Sequence, residues 1–220
     1  TYEDRLREQI ECLLIRKMDQ LFTLNEYQRH VTGLGEQYAE QLKELERVLP
    51  TTKIVSVVQR LLSENVSVKN MRSILNSLIE WGQRERDPQI ITDQVRRGLL
   101  EQICHQHANQ KTLQIFMVSM ELEQLIREAV RSDGSISYLD IDTTMLNSIV
   151  QSIEQQLGMY LAEPKLPVLV CSMDCRSFFR QMLFDQLHSV PIFSHQEISS
   201  ALQIKVLGSL TVDDSTNALT

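Results

Sequence analysis

The sequence predicts an α+β fold: an all-helical subdomain over residues 1–108, then a small α/β subdomain with a mixed sheet over 109–220. Three observations carry that reading. The first half repeats apolar residues at helical spacing between Pro and Gly stops. After Asn109 the apolar runs shorten into strand-like segments that alternate with helices, the pattern of a layered α/β unit. The composition, 42% apolar and 23% charged with 7 Gly and 5 Pro in 220 residues, supports a core without metal or disulfide staples.

The helical elements follow in order. Residues 4–18 are amphipathic, with Leu6, Ile10, Leu13 and Leu14 on one side. Thr23 and Glu26 have capping-box spacing, in which hydroxyl and carboxylate satisfy each other's backbone donors. That short helix stops near Gly33, and the next, over 36–48, ends before Pro50. Residues 53–64 place Ile54, Val57, Val58, Leu61 and Leu62 on one buried face. Ser67 is positioned to cap a helix carrying Met71, Ile74, Leu75, Leu78 and Ile79. Asp87 and Pro88 then restart the chain as N-cap and first helical residue, where the missing proline N–H costs nothing. This last helix is expected to run to about His107.

In the second half, 112–118 reads as a strand and 121–130 as a helix, followed by a turn over 132–135 and a short strand over 136–141. A helix over 143–157 is stopped by Gly158. Residues 166–171 form an apolar strand, 176–187 a helix and 190–193 another strand. A final strand over 204–212 precedes a flexible tail from about residue 213.

The net charge is −7 and the pI near 5.3, the wrong sign for tracking phosphates, so nucleic acid is not expected as a partner. Residues 1–108 hold 15 Lys/Arg against 16 Asp/Glu, and 109–220 hold 7 against 13, so the acidic excess lies in the second half. No apolar run approaches the roughly 18 residues that crossing a bilayer needs. The opening TYEDRLREQ is polar and mixed in charge, unlike a signal peptide. Cys12, Cys104, Cys171 and Cys175 form no disulfide framework, which fits a reducing compartment.

Four patterns invite chemistry. Asp140-Ile-Asp142-Thr143 resembles the start of an aspartyl-nucleophile phosphatase, which also needs a lysine such as Lys165 and an acidic metal pair on the same sheet edge. The competing reading has Asp142 capping the helix at Thr143. Cys171 and Cys175 precede Arg176 and Arg180 with four intervening residues rather than the five of cysteine phosphatases, and no Gly lets the backbone curl. Cys104, His105 and His107 fall short of a zinc site, because only Cys104 and His107 share a helix face. Gly33 and Gly35 lack the strand–turn–helix setting of a phosphate loop. No cofactor or metal is expected. The run from Glu80 to Asp87 differs in kind: the only Trp, Trp81, lies beside Arg84 and Arg86, and Trp and Arg anchor interfaces.

Long motifs then carry a resemblance. Leu49-Pro50, the stretch from Glu64 through Asn65, Val66 and Met71 to Leu75, and Glu80 to Pro88 resemble the helical core of the type III secretion export gate family. Pro167 to Arg176 and Val190 to Ile198 resemble that family's last subdomain, and the Gln196-Glu197-Ile198 ending favours the virulence (injectisome) branch over the flagellar one. The resemblance implies no enzymatic activity. It implies that this chain is the soluble, C-terminal part of an integral membrane protein, at the cytoplasmic face of the bacterial inner membrane. It would comprise the third (helical) and fourth (α/β) cytoplasmic subdomains, with the end of the preceding one. The partners implied are neighbouring copies in a nonameric ring, the ATPase central stalk, and export chaperones, gatekeeper and cargo. The ring edge would use Lys69, Arg72, Glu80, Arg84, Glu85, Arg86 and Asp87. Reversing charge at Arg84 and Arg86 should then abolish export and leave the fold intact. A basic stalk would find Glu163, Asp174, Asp185 and Glu197 on the acidic subdomain. The alternatives are a phosphoryl-transfer enzyme using Asp140 and Asp142, and a soluble helix-binding adaptor.

Overall fold

The computed structural model describes residues 2–17, 21–133 and 136–211. Gly134 and Ser135 of the expected turn, and the tail from about residue 213 with Asp213 and Asp214, lie outside them. The chain divides into two compact units between Ile103 and Cys104.

The first unit is helical: α1 (Tyr2–Arg16), α2 (Leu24–Gly33), a 3-10 turn (Glu36–Tyr38), α3 (Ala39–Val48), α4 (Thr51–Ser63), α5 (Met71–Gly82) and α6 (Pro88–Gly98). Its core is the face that periodicity marks: Leu45, Leu49, Ile54, Val57, Leu61, Ile74, Leu78, Ile91 and Val95 are all buried. The apolar face of α1 is not covered in the same way, and Leu6, Ile10, Leu13 and Leu14 remain exposed.

Caps settle differently from expectation at two helices. Thr23 holds the N-cap position of α2 in extended conformation but makes no side-chain cap bond. Glu26 instead pairs with Arg29 at 2.8 Å, so no capping box forms. Before α5 the cap is Asn70, whose side chain accepts from Ser73 N, while Ser67 Oγ accepts from Lys69 N. The reason lies one turn earlier. Asn65 takes the left-handed conformation (φ 55°) that closes α4, and Val66 N donates back to Leu61 O, so the chain needs extra residues before it restarts. Asp87 and Pro88 behave as expected: the Asp87 carboxylate accepts from Gln89 N at 2.8 Å, and Pro88 opens α6.

The expected single helix to His107 is two. α6 ends at Gly98, Leu99 leaves helical geometry, and α7 (Leu100–His107) begins anew across the unit boundary. Gly98 packs where a Cβ would meet Ser77 Oγ of α5 at 2.6 Å, so no larger residue fits without a shift. Nearby, Arg96 and Glu64 form an ion pair at 3.1 Å with side chains only 3% and 9% exposed.

The second unit holds β1 (Thr112–Val118), α8 (Met120–Ala129), β2 (Val130–Asp133), β3 (Ile136–Leu139), α9 (Thr143–Leu157), β4 (Val168–Cys171), α10 (Met173–Leu183), β5 (Ile192–Ser194) and β6 (Gln203–Leu210). The α+β class stands, and the sheet's mixed character has a definite arrangement. Four strands in the order β5-β4-β1-β6 are parallel throughout, and the antiparallel pairing sits in a separate β2–β3 hairpin. One apolar cluster joins Phe116 and Val118 of β1, Leu169 and Cys171 of β4, Leu122 and Ile126 of α8, Ile149 and Ile153 of α9, and Phe179 and Leu183 of α10. β4 and β5 are wholly buried; β4, an inner strand, reads as a continuous apolar run, as covered parallel strands do, and β5 lies at the sheet edge. No described helix is long and apolar enough to cross a membrane.

Candidate interaction surfaces and the buried networks beside them

The charged run at α5 resolves into two groups. Lys69 and Arg72 near the helix start, and Glu80 and Arg84 at its end, are exposed. Arg72 and Glu80 lie within α5, and Arg84 follows Glu80 by four residues just past the end of the helix at Gly82. Arg84 pairs with Glu80 at 3.4 Å and lies 5.6 Å over the Trp81 ring, a cation–π contact that holds the guanidinium at the surface.

Glu85, Arg86 and Asp87 form the turn itself. The Glu85 carboxylate accepts from Arg86 N at 2.6 Å and Asp87 N at 2.9 Å, and these backbone donors hold its pKa below the ordinary value. The Arg86 guanidinium donates to Val48 O at 2.7 Å and Gly82 O at 3.1 Å, closing the ends of α3 and α5. Lys53 Nζ donates to Arg86 O. Arg86 therefore supports the fold, and reversing its charge removes those bonds along with any surface effect. Asp87 is occupied as the cap of α6.

The acidic residues of the second unit are not brought together as one patch. Glu163 and Asp185 are exposed. Asp174 is exposed but engaged: Arg127 Nε donates to it at 2.6 Å and Nη2 at 3.3 Å, which holds the Asp174 carboxyl below, and the Arg127 guanidinium above, its ordinary pKa. Glu197 is 1% exposed and accepts from Ser194 N at 2.6 Å within a capping box, so its carboxylate offers no surface to a stalk. A capping-box Glu faces its own N-cap backbone, which is why this residue left the acidic surface.

Sequence reasoning missed the network that organises this unit. Glu123, 5% exposed, accepts from Ser172 N at 2.6 Å, Ser172 Oγ at 2.5 Å and Arg127 Nη2 at 2.9 Å. It holds the N-terminus of α10 against α8, where a carboxylate meets unsatisfied N–H groups and the positive end of the helix dipole. The signal available was the Glu123–Arg127 helical pair just behind the Ser119 cap, which accepts from Leu122 N.

The chemical candidates disperse. Asp142 accepts from Thr144 N at 2.7 Å and Met145 N at 3.3 Å; these donors, Thr144 foremost, lower its pKa, and it caps α9. Asp140 lies 3.9 Å from Arg131, and Lys165 Nζ donates to Ala108 O. Asp140 and Asp142 are thus tied to the hairpin and helix start, and Lys165 to a different loop. Cys171 and Cys175 are buried, and burial pushes the Cys171 thiol well up and the Cys175 thiol to about 12. Cys104 Sγ donates to Glu197 O at 2.9 Å, and the His107 ring stacks edge-on against Phe193 at 5.5 Å. Among the described residues no cluster of His, Cys, Asp and Glu is placed to hold a metal.

The first unit also contains an apolar cavity of about 400 Å³ bordered by Leu14, Phe22, Val31, Leu42, Ile74 and Leu78. Tyr27 lines it. Burial, then Glu46, raises the pKa of its phenol, whose oxygen has no hydrogen-bond partner among the described residues.

Comparison with known proteins places this geometry. Residues 2–203 match the model of the FHIPEP family. The chain is 33% identical over 172 residues to the Low calcium response locus protein D of Yersinia pestis, covering 78% of this chain and 24% of that protein. It is 33% identical over 211 residues to the Secretion system apparatus protein SsaV of Salmonella typhimurium, covering 96% of this chain and 30% of that one. The chain therefore spans about a quarter to a third of the length of these curated relatives. A cryo-EM structure of nonameric EPEC SctV-C superposes with a TM-score of 0.81 at 28% identity, covering 95% of this chain and 63% of that one. A structure of the Chlamydia pneumoniae CdsV and CdsO protein complex superposes with a TM-score of 0.85 at 25% identity, covering 96% and 62%.

Proposed function

We propose a role for this chain from the premise that it belongs to the FHIPEP family, the export gate proteins of type III secretion. It is read as the cytoplasmic part of the gate, residues 1–108 being the helical third subdomain with the end of the preceding one, and 109–220 the α/β fourth. In that reading it stands at the cytoplasmic face of the bacterial inner membrane and assembles with copies of itself into a nonameric ring below the channel. The ring receives chaperones, gatekeeper and cargo and engages the central stalk of the ATPase. The observation that carries this is the likeness of nearly the whole chain to nonameric SctV-C. The likeness to CdsV in the CdsV–CdsO complex supports a further protein partner in the same way.

The exposed face of α5 is the part of the molecule suited to a neighbour. Lys69, Arg72, Glu80 and Arg84 are exposed in and beside α5 and present both signs of charge, and such patterns fix register and reject wrong partners more than they add affinity. A head-to-tail ring has two different contact faces, so an opposing surface of the neighbour meets this one. For the stalk, the exposed carboxylates are Glu163 and Asp185, with Asp174 shared with Arg127.

Arg72→Glu with Arg84→Glu in the full-length protein tests the ring edge without touching the Arg86 cap. Secretion and ring assembly should both be lost while circular dichroism and thermal unfolding stay unchanged. Normal secretion by that double variant sinks the assignment. For the stalk contact, affinity should fall steeply as salt rises; affinity independent of salt rules out an electrostatic contact.

A further inference from the structure

We propose that the outer edge of β6 is a docking site for an extended polypeptide segment, which adds to the sheet as a further parallel or antiparallel strand. β6 closes one side of the four-stranded sheet and pairs only with β1 among the described strands. At eight residues it is the longest strand described, whereas natural edges are often kept short or covered. The opposite edge, β5, has three residues and is wholly buried.

The direction of its backbone groups can be followed along the strand. Gln203 N donates to Lys111 O at 2.8 Å, so Gln203 faces β1. N–H and C=O groups alternate sides from one residue to the next, so Lys205 faces β1 too, and Ile204 and Val206 turn theirs outward. A bulge opposite Ile115 and Phe116 adds one residue to β6, after which Leu210 O again faces inward and accepts from Ser119 N at 2.9 Å. Ser209 therefore also points outward. A row of outward donors and acceptors at strand spacing is matched by one kind of partner, another extended backbone.

The side chains narrow the chemistry. Ile204 is 41% and Val206 59% exposed, on the face whose β1 neighbours Leu113 and Ile115 are buried, so the apolar layer stops one strand short. A strand laid beside β6 extends that layer with its own alternate apolar side chains. Between them Lys205 projects to the other face, and Lys111 precedes β1; both are exposed and neither has an ion-pair partner among the described residues. The other basic side chains described in this unit are engaged: Arg127 and Arg131 with carboxylates, Arg180 with carbonyls, Lys165 with Ala108 O, and Arg176 buried. Lys205, uncommitted in an acidic unit and beside the outer edge, complements an acidic residue between the apolar ones. The occupant is thus a segment of a separate polypeptide in which β-branched residues alternate with Asp or Glu. This assignment does not depend on ring assembly.

The probe is a dye-labelled peptide of alternating valine and glutamate, as long as the eight residues of β6, titrated into the 220-residue chain by fluorescence anisotropy. Saturable binding is expected. Val206→Pro removes an outward donor without touching the β1 ladder, as edge strands allow, and should weaken binding about tenfold or more. Val206→Thr keeps the donor and should bind within about twofold of the unchanged chain. Lys205→Glu should weaken binding and invert its salt dependence. The peptide N-methylated at alternate amides should not bind. Thermal unfolding of each variant checks that the unit is intact; if Val206→Pro unfolds, the N-methylated peptide and Lys205→Glu decide alone. Absence of saturable binding to the unchanged chain, or equal binding of the N-methylated peptide, overturns the proposal. So does a mass that doubles with protein concentration and falls back on adding peptide, since the edge would then be closed by a second copy.

Discussion

The two charged regions of the chain use the same residue types to opposite ends. In and beside α5, Lys69, Arg72, Glu80 and Arg84 remain exposed, and the contacts of Arg84 are a long ion pair with Glu80 and the Trp81 ring face. In the second unit Glu123, Asp174 and Glu197 accept hydrogen bonds from helix-start backbone or from a fixed guanidinium. The difference is made by what each carboxylate meets: helix-start backbone for Glu123 and Glu197, the Arg127 guanidinium for Asp174. A carboxylate three or four residues from a helix start is drawn to its unpaired N–H groups, whereas one in the middle or at the end of a helix finds none and stays in water. A charged surface is therefore recognised by which of its members are left over after capping.

The comparison breaks first at Glu123. Glu123→Ala leaves Ser172 N and Arg127 without their buried partner, and should cost the second unit about 3 kcal/mol. Trp81, the only Trp, reports on the first unit, so in urea the circular dichroism transition should shift while the fluorescence transition stays. A joint shift of both transitions shows that the two units unfold together. Next in size, Arg86→Ala strips the caps from Val48 O and Gly82 O and should cost about 1 kcal/mol, because the side chain is solvent-exposed. Arg84→Ala, two residues away, should stay within about 0.5 kcal/mol. Equal losses at both positions erase the distinction between turn and surface.

The smallest effect is in pH. Arg127 lowers the folded-state pKa of Asp174, so this pair's contribution is complete above the ordinary Asp value, about 3.9. It is lost as pH falls through the lower folded value, where Asp174 binds its proton. Asp174→Asn should flatten the acid limb of second-unit stability and leave the first unit's unchanged. A limb of unaltered slope assigns the acid sensitivity to other carboxylates.

Much of this was legible in the chain. Period alone placed the buried faces of α4 and α5, because an apolar stripe has only one way to leave water. Asp87-Pro88 and Asp142-Thr143 announced helix starts, since each pairs a short acceptor with a residue at home in the first turn. The close approach of Gly98 to Ser77 was not legible, because Ser77 belongs to another helix. Nor was the parallel order of the sheet, since β1 alternates no more clearly than an antiparallel strand does. The site residues divide in the same way. Exposure of Glu80 follows from its place opposite the apolar stripe of α5. Glu197 turns inward through the capping-box spacing Ser194-x-x-Glu197, which the sequence does record, whereas the bond of Arg86 to Val48 O depends on where distant backbone arrives.

The pairing of Thr112 with Gln203 has a consequence in time. β1 is made before every other strand of its sheet, yet one of its two neighbours, β6, is made last. On a ribosome the helices of the first unit find their partners within a short stretch of nascent chain. The second unit must hold one side of β1 open through α8, the hairpin, α9, β4, α10 and β5. Truncation inside β6 should therefore strand a molecule with a folded front half and an exposed sticky strand, a substrate for chaperones rather than a slightly weaker protein.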